Sequence, residues 1–458
     1  MVRTDTTGTL SWVGDGVADD VSLDTAFNDG WGYLEITGLV AGKTHSGVAS
    51  VGGASIKVSP KTMPQTGGVI GWTSCQVANV DTEQSTRRIL EHGIDAFVWL
   101  GDFFYPNSNA VVFGGVDAPL IDSVAEATDS ANWSLWWRHQ MNNPGFKLLA
   151  HTVPVYCMFD DHEIGGGDNW DHTVDKANSG VSALGAVNQG EVNDAWAASI
   201  DAYDAIAQAQ PFDGGSVKKP QAVLDGEATY PVNNDYYVGR YYAFDVGDLH
   251  VQVLDTVSHR DPLTQTDNFS KKMLANPQRD WSEADIAASP GKANVIFCTK
   301  KFWTQNGEGG DAFNLYETER SQYLDAIGAT GKTVMYGVGD RHEISAAYDN
   351  ANKALHLNPC PLRQKWVPSL DAGYQIFSSG SDDAEIIYRY YGDKALAHAS
   401  GGEFDQDRAP GAFGIYRRGE TYTEGCMLHY LTGRRYLPWQ RIADADAART
   451  IARPRIAG

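Results

Sequence analysis

Residues that bind metal ions or phosphate follow the apolar runs of this sequence at five places. The clusters are Cys75, Asp102 with Tyr105, Asp160-Asp161-His162, Asp255 with Arg260, and Asp340 with His342. Carboxylate, imidazole and thiolate groups are the usual protein ligands of metal ions. In open α/β sheets, ligands bind beyond the carboxyl ends of the strands. If the runs are parallel neighbouring strands, the five clusters therefore meet at one edge.

Each cluster taken alone has a simpler explanation. The pair Gly101-Asp102 is also typical of a cap or tight turn, and an isolated cysteine such as Cys75 is more often an inert buried thiol. The dense run Asp160–Glu163 could belong to a solvated surface loop, although it directly follows the apolar PVYCMF. Carboxylates packed this closely repel one another unless cations neutralise them, which favours a metal site.

Taken together, the clusters predict a binuclear metal centre. Two ions held about 3.5–4 Å apart suit in-line displacement at phosphorus, because one ion activates a water molecule and both clamp the phosphoryl oxygens. An imidazole that is not a ligand can protonate the leaving oxygen. The formal net charge of −22 supports the need for metal, since so acidic a chain repels a phosphate ester at long range.

The runs that carry the clusters have the pattern of buried strands in an α/β protein. They are VIGWTSCQ, DAFVWLGDFFY, TVPVYCMFDDHE, HVQVLDTVSHR, ANVIFCTKKFW and TVMYGVGDRHE. The segments TEQSTRRILEHG and VNDAWAASIDAYDAIAQ are predicted helices, the first ending near Gly93 and the second with Trp196, Ile200 and Tyr203 on one face.

Two domains are predicted from the change of pattern along the chain. Residues 1–66 are rich in short Thr/Val runs separated by Gly and Pro, which predicts a small all-β sandwich of accessory role. Residues 67–458 alternate strands and helices, and we assign them to the catalytic domain.

Composition excludes several classes of protein. A hydrophobic content of 42% excludes a mainly disordered chain, and the acidity disfavours a protein that wraps nucleic acid. The five cysteines are odd in number and widely spaced, unlike a disulfide framework. No run approaches the roughly 18 apolar residues of a membrane span. The opening MVRTDTTGTL lacks the apolar core of a signal peptide.

The motifs TSCQ, GDFFY, FDDHE, LDTVSHR and GDRHE, in this order, resemble the PhoD-type alkaline phosphatase/phosphodiesterase family of the metallophosphatases. The resemblance implies a four-layered α/β/β/α sandwich preceded by the small β-sandwich, which would be fibronectin-like. It also implies a centre of Fe³⁺ with Ca²⁺, although another divalent metal could fill the second site. A small phosphate ester is the implied substrate, and an extracellular or periplasmic location is expected.

The resemblance further implies roles for individual residues. Cys75, Asp102 and Tyr105 would hold the iron, and Asp161, Asp340 and His342 would complete the metal sites. His162 would lie beside the scissile phosphate, and Arg260 would hold a phosphate oxygen. The sequence departs from the family pattern at Pro106 and in the GGGDN loop. Lys300 could line the site, although a lysine near a strand end is usually a solvated charge.

The function predicted from these observations is hydrolysis of phosphomonoesters by metal-activated hydroxide. Two alternatives remain open at this point. A phosphodiesterase or phospholipase D-like activity would use the same site. A non-catalytic, metal-stabilised binding protein of a virion or cell surface belongs to a different class, and His162 and Arg260 argue against it because structural metal sites need neither.

Overall fold

A computed structural model gives the conformation of most of the chain between residues 2 and 435. The described residues are 2–3, 8–23, 31–32, 36, 38–76, 82–106, 118–163, 189–206, 217–218, 229–232, 235–238, 240–257, 260–261, 265–274, 276–291, 293–300, 313–340, 345–349, 354–358, 373–379, 385–392, 412–417, 430–431 and 434–435.

The described strands are numbered in chain order. They are β1 Val2–Arg3, β2 Gly8–Gly14, β3 Val17–Leu23, β4 Trp31–Gly32, β5 Gly47–Val51, β6 Ala54–Val58, β7 Val69–Thr73, β8 Ala96–Leu100, β9 Val155–Met158, β10 Val217–Lys218, β11 Thr229–Val232, β12 Asp235–Val238, β13 Tyr242–Val246, β14 Leu249–Leu254, β15 Ala293–Cys298, β16 Thr333–Val338, β17 Ser345–Asp349, β18 Ala354–Asn358, β19 Gly373–Ser379, β20 Glu385–Gly392, β21 Ala412–Arg417, β22 Tyr430–Leu431 and β23 Arg434–Arg435.

The described helices alternate with the strands in the middle of the chain. They are α1 Glu83–Glu91, α2 Val124–Ala127, α3 Ser130–Met141, α4 Pro144–Thr152, α5 Gln189–Ile206, α6 Asn276–Ala288 and α7 Glu317–Ala329. Single 3₁₀ turns form at Asp161–Glu163 and Phe313–Tyr316. None of the described helices is long and apolar enough to cross a bilayer.

Two mixed sheets contain the strands that end in candidate site residues. The first has the order β21-β20-β19-β7-β8-β9, and the second has the order β10-β13-β14-β15-β16-β18-β17. Within the first sheet β7, β8 and β9 are parallel, and within the second β14, β15, β16 and β18 are parallel. The predicted strands thus divide between two sheets rather than forming a single one.

The two sheets pack face to face through aromatic side chains. Trp72 on β7 and Phe297 on β15 have ring centroids 5.2 Å apart, and Tyr156 on β9 stacks on Phe244 of β13 at 3.8 Å. Gly337 on β16 permits this close approach, because a Cβ there would lie 2.5 Å from the Phe297 ring. The strands are buried on both faces, which explains their continuous apolar sequences.

A separate antiparallel sheet of order β3-β2-β5-β6 precedes the two mixed sheets. Its small core contains Leu10, Trp12 and Ala49. Lys61 joins this region to the rest of the chain through a 2.9 Å ion pair with Asp95. The boundary at residue 66 and the fibronectin-like assignment stay predictions.

The α/β class predicted from the sequence is confirmed. All six predicted strands form, as do both predicted helices, where Trp196, Ile200 and Tyr203 are buried on one face of α5. Gly93 adopts a φ of 68° directly after α1, as expected of a helix stop. The four-layered order stays a prediction.

His250 on β14, an interior strand of the second sheet, bridges two carboxylates. Its Nδ1 and Nε2 atoms each lie 2.7 Å from a carboxylate, of Asp245 and Asp285 respectively, and the side chain is 1% exposed. Burial opposes protonation of the ring, but the hydrogen bonds to both carboxylates outweigh it and raise the pKa of His250. The protonated ring therefore stabilises the folded state.

Because this pKa is raised in the folded protein, its stabilisation is complete below the ordinary value of about 6.5 and is lost as pH rises through the folded value. We expect His250→Gln to lower the free energy of unfolding by about 1.5–3 kcal/mol at pH 5.5 and by less at pH 9. Denaturant unfolding at both pH values measures this, with the exposed His151→Gln as control. An equal loss at both pH values would show that the ring is neutral.

Candidate metal centre

Five chemically active residues stand at equivalent positions after their strands. Each is two residues beyond the last residue of a parallel strand: Cys75 after β7, Asp102 after β8, Asp160 after β9, Lys300 after β15 and Asp340 after β16. The strand ends are in register, with Leu100 opposite Met158 and Cys298 opposite Val338. This common spacing brings the five side chains to the same edge of the paired sheets.

The loops beyond the strands continue to hydrogen-bond to one another. The N–H of Cys75 donates to Gly101 O at 3.0 Å, and that of Gly101 donates to Met158 O at 2.8 Å. Gly339 lies where the sheets meet, since a Cβ there would be 2.8 Å from Leu100 O and 3.1 Å from Thr299 O. Loops of both sheets are therefore fixed against each other at the site.

Three of the five residues adopt a left-handed backbone conformation. The φ angles are 56° for Cys75, 52° for Asp102 and 68° for Asp340. Such a conformation costs a non-glycine residue on the order of 1–3 kcal/mol and concentrates at functional sites. These φ angles turn the chain sharply where each strand ends. The packing of the strands beneath must offset the free energy that this strained conformation costs.

Asp102 is the centre of a group of three potential ligands. Its Oδ2 atom accepts hydrogen bonds from the Cys75 thiol at 3.3 Å and from the Tyr105 hydroxyl at 3.0 Å. Cys75 and Asp102 are buried. A thiol and a phenol that converge on one carboxylate oxygen can surround a metal ion once they lose their protons.

His162 also lies close to Asp102. Its ring is half-buried and packs at a tilt of 53° against the Tyr105 ring, with centroids 4.1 Å apart. Ligand atoms of Asp102, Asp161 and His162 all lie within 4.8 Å of one another, a spacing that could hold a metal ion. The geometry makes His162 a candidate ligand as well as the catalytic imidazole predicted from the resemblance.

Lys300 contacts a second group of carboxylates and is completely buried. Its Nζ atom lies 2.8 Å from Asp160 Oδ1, 3.3 Å from Asp161 Oδ2 and 2.9 Å from Asp340 Oδ1. Of the two possibilities that the sequence left open, Lys300 is therefore a residue of the site and not a solvated charge. Its side chain extends inward because an apolar β15 precedes it and acids surround its ammonium group.

Glu163 holds two of the loops together, and it is not one of the side chains grouped around Asp102 Oδ2. Its buried carboxylate accepts hydrogen bonds from the N–H groups of Asp102 at 3.0 Å, Phe104 at 3.3 Å and Asp160 at 2.8 Å, and from that of Phe103. It thus ties the loop after β8 to the loop after β9. Sequence reasoning did not assign it this role, although its place in the DDHE run was visible.

Burial and mutual repulsion set the protonation of the acidic groups. Burial raises the pKa of Asp102, as does the charge of Asp161, while His162 and Lys300 oppose the shift. Burial also raises the pKa of Asp160 far above its ordinary value, against the effect of Lys300. Burial raises the pKa of Glu163 to about 8. A further cation would relieve this repulsion.

The two candidate ligands that contact Asp102, the Cys75 thiol and the Tyr105 hydroxyl, are protonated when no metal is bound. Burial raises the pKa of the Cys75 thiol far above its usual range, and so does the nearby charge of Asp102. The same two causes raise the pKa of the Tyr105 hydroxyl. A metal ion bound here would displace both protons.

The donor set fits a bound metal. Oδ1 of Asp102, Oδ1 of Asp161 and Oδ2 of Asp160 are buried and accept no hydrogen bond from the described residues. Buried carboxylate oxygens normally have a hydrogen-bond partner or a metal, because desolvation without compensation costs free energy. The residues around Asp102 therefore suit a cation.

The structure brings together six of the eight residues predicted for the site. They are Cys75, Asp102, Tyr105, Asp161, His162 and Asp340. Arg260 follows β14 and is completely buried, and its contact with phosphate stays a prediction. His342 lies outside the described residues. Asp255 accepts a hydrogen bond from the N–H of Val257 at 3.1 Å, a turn contact.

Comparison with known proteins agrees with this arrangement. A sequence model described as PhoD-like phosphatase matches residues 70–359, which span the strands and loops of the centre. The chain belongs to this family. Membership makes it a phosphoric ester hydrolase and confirms the resemblance read from the five motifs. No curated protein matches the chain.

The fold is also shared with a solved structure. "Structure of PhoD" superposes with a TM-score of 0.66 at 15% identity, covering 91% of this chain and 84% of that one. A second structure, of TT1561 from Thermus thermophilus, gives a TM-score of 0.29 at 8% identity and covers 68% and 94% of the two chains. Only the first superposition supports the fold.

Gly101 offers a test of how closely the loops must pack. A Cβ at this position would lie 2.4 Å from Asp160 Cβ, whereas a Cβ at Gly93 would meet nothing within 4 Å. Both residues have positive φ, 65° and 68°. Alanine at either site therefore costs roughly 1–2 kcal/mol of backbone strain, and only Gly101→Ala must also displace Asp160.

We expect Gly93→Ala to lower stability by that strain and to leave phosphate-ester hydrolysis unchanged. Gly101→Ala should lose at least about 100-fold in kcat/KM, which corresponds to roughly 2.7 kcal/mol of transition-state stabilisation. Thermal unfolding and steady-state kinetics on both variants measure this. Equal activity in the two variants would show that the position of Asp160 does not matter.

Proposed function

We propose that this phosphoesterase hydrolyses phosphomonoesters with the help of a metal ion held by Cys75, Asp102 and Tyr105. The observation that carries the proposal is the convergence of the Cys75 thiol and the Tyr105 hydroxyl on Oδ2 of Asp102. The Asp102 carboxylate is costly to bury, and a thiol and a phenol that both contact one of its oxygens offer a metal ion two further ligands once they lose their protons. The resemblance to the family makes Fe³⁺ the proposed ion.

A bound metal of this kind supplies Lewis acidity, which polarises a phosphoryl oxygen and makes water a better nucleophile near neutral pH. The surrounding carboxylates hold that charge in place and Glu163 fixes the loop that carries Asp102. Arg260 is proposed to hold a phosphate oxygen through its guanidinium group. These residues orient the ester and balance its charge.

His162 is proposed to donate the proton that the departing alcohol needs. Its ring is half-buried, and the centroid of the Tyr105 ring lies 4.1 Å from its own. An imidazole within reach of the leaving oxygen protonates it as the phosphorus–oxygen bond breaks. This contribution is typically about 10²–10⁴-fold in rate.

Calcium is the second ion implied by the resemblance, with Asp161 as a proposed ligand; Asp340 and His342 are proposed to supply one ligand to each of the two metal sites. One carboxylate oxygen of Asp161 and one of Asp340 contact the ammonium group of Lys300. An extracellular or periplasmic location is part of the same proposal, since it also rests on the family.

The proposal is tested by elemental analysis of the purified protein together with turnover of para-nitrophenyl phosphate and bis-para-nitrophenyl phosphate. We expect bound iron, faster hydrolysis of the monoester, and loss of activity after chelation that added metal restores. Faster hydrolysis of the diester would instead favour a phosphodiesterase. Metal-free protein that stays inactive after reconstitution with iron and calcium would refute the metal-dependent mechanism.

Cys75→Ser tests the thiol as an iron ligand. A thiolate and a phenolate on Fe³⁺ each give charge-transfer absorbance, so the variant should lose the thiolate part of the visible absorbance and keep the part due to Tyr105. It should also bind iron at least about 10–100-fold more weakly, because mutation even of a residue that only contacts a metal ligand typically costs that much affinity. Absorption spectra and metal content measure both effects.

Cys157→Ser is the matched control, because Cys157 is also a buried free thiol but lies within β9. It should keep the spectrum of the unaltered protein. Both variants should remain folded by circular dichroism. Equal absorbance in Cys75→Ser and Cys157→Ser would remove the thiol from the proposed metal site.

A further inference from the structure

Lys300 binds three carboxylates that come from both sheets. Asp160 and Asp161 follow β9 of the first sheet, and Asp340 follows β16 of the second. The Nζ atom lies between 2.8 and 3.3 Å from an oxygen of each. An ammonium group has three N–H donors, so three acceptors at these distances use its full donor capacity.

The same three carboxylates have the spacing of a metal site. One oxygen of each of Asp160, Asp161 and Asp340 lies within 4.8 Å of the others. A calcium ion would sit about 2.3–2.6 Å from such oxygens. The Nζ atom contacts one oxygen of each carboxylate, and its positive charge would repel a calcium ion bound to the same three groups.

The position of Lys300 is fixed by the backbone as well as by its charge. Lys300 and Asp340 occupy equivalent positions after neighbouring strands, because Cys298 pairs with Val338 where β15 and β16 end. The thiol of Cys298 donates to Lys300 O at 3.2 Å, and the preceding Thr299 hydroxyl hydrogen-bonds to Thr256 Oγ1 at 2.8 Å. The lysine therefore enters the cluster from a rigid turn.

We propose that Lys300 takes the place of the second metal ion in this centre. It neutralises Asp160, Asp161 and Asp340 with one fixed positive charge, and a single metal ion beside Asp102 completes the site. The proposal rests on the metal site of the proposed function. It replaces the calcium ion that the resemblance implies at the second metal site, to which Asp161 is assigned.

This arrangement changes what the second position can contribute. An ammonium group donates hydrogen bonds and balances negative charge, but it has no vacant coordination position for water or for a phosphoryl oxygen. Water activation then depends on one metal ion alone. Added calcium should neither bind at the cluster nor be required for hydrolysis.

The test compares metal content and calcium binding in the unaltered protein, Lys300→Met and Lys271→Met. Methionine keeps the length and apolar stem of lysine and removes its charge. Lys271 is a matched control because it is also buried, 2% exposed, and lies over the Tyr316 ring instead of near the acids. Elemental analysis and calorimetric titration with Ca²⁺ count the ions per chain.

We expect Lys300→Met to bind one more calcium ion per chain than the unaltered protein, and Lys271→Met to bind no more. A folded Lys300→Met that gains no ion would overturn the proposal. Two metal ions per chain in the unaltered protein would also overturn it, and this measurement stands even if Lys300→Met does not fold.

The outcome separates this proposal from the proposed function. The difference in ion count between Lys300→Met and the unaltered protein tests Lys300. Turnover of para-nitrophenyl phosphate by the unaltered protein tests the metal-dependent hydrolysis. An active protein with two ions per chain would refute the role of Lys300 and keep the phosphatase, whereas an inactive protein with a gain of one ion in Lys300→Met would do the reverse.

Discussion

The need to neutralise buried acids governs the candidate site. Asp102, Asp160, Asp161, Asp340 and Glu163 meet at one edge, and four of the five residues are at most 2% exposed. Removing an ion from water costs several kcal/mol even after the protein relaxes, so five carboxylates can stay ionised together only with compensating cations or hydrogen-bond donors. Lys300 supplies one positive charge, and Glu163 is compensated by backbone N–H groups. The negative charge that remains near Asp102 is not compensated by these groups, and a metal ion bound there would balance it.

The packing of the two sheets provides the stability that offsets the unfavourable burial of these charged groups. Positive φ angles at Cys75, Asp102 and Asp340 and desolvated carboxylates all destabilise the loops locally. Beneath them lie strands buried on both faces and cross-sheet aromatic contacts such as Trp72 with Phe297. The apolar core holds each strand end in register, and the register fixes where each side chain points. Strain at the edge is therefore balanced by burial in the interior, as in other proteins whose sites tolerate unfavourable local geometry.

Much of this arrangement follows from local sequence pattern. Apolar runs of six residues, as in ANVIFC, predict buried strands, and the polar residues that end them predict an edge rich in ligands. The division into two sheets does not follow, because strand order depends on long-range pairing that no local pattern encodes. The burial of Lys300 was also missed, since two lysines after a strand resemble a solvated pair. The available signal was its spacing, which equals that of Cys75, Asp102 and Asp340 after their strands.

A lysine and a metal ion neutralise acids in physically different ways. A metal ion dissociates and exchanges, so a centre built on two ions loses all its compensation when metal is removed. The ammonium group of Lys300 is covalently attached to the chain just beyond β15, so it cannot leave Asp160, Asp161 and Asp340 by dissociation as a metal ion can. The acids that Lys300 links across the two sheets, Asp160, Asp161 and Asp340, are thus stabilised by a residue of the chain and not by a bound ion. Loss of metal would then affect the group around Asp102, where the chemistry is proposed, more than the packing of one sheet on the other.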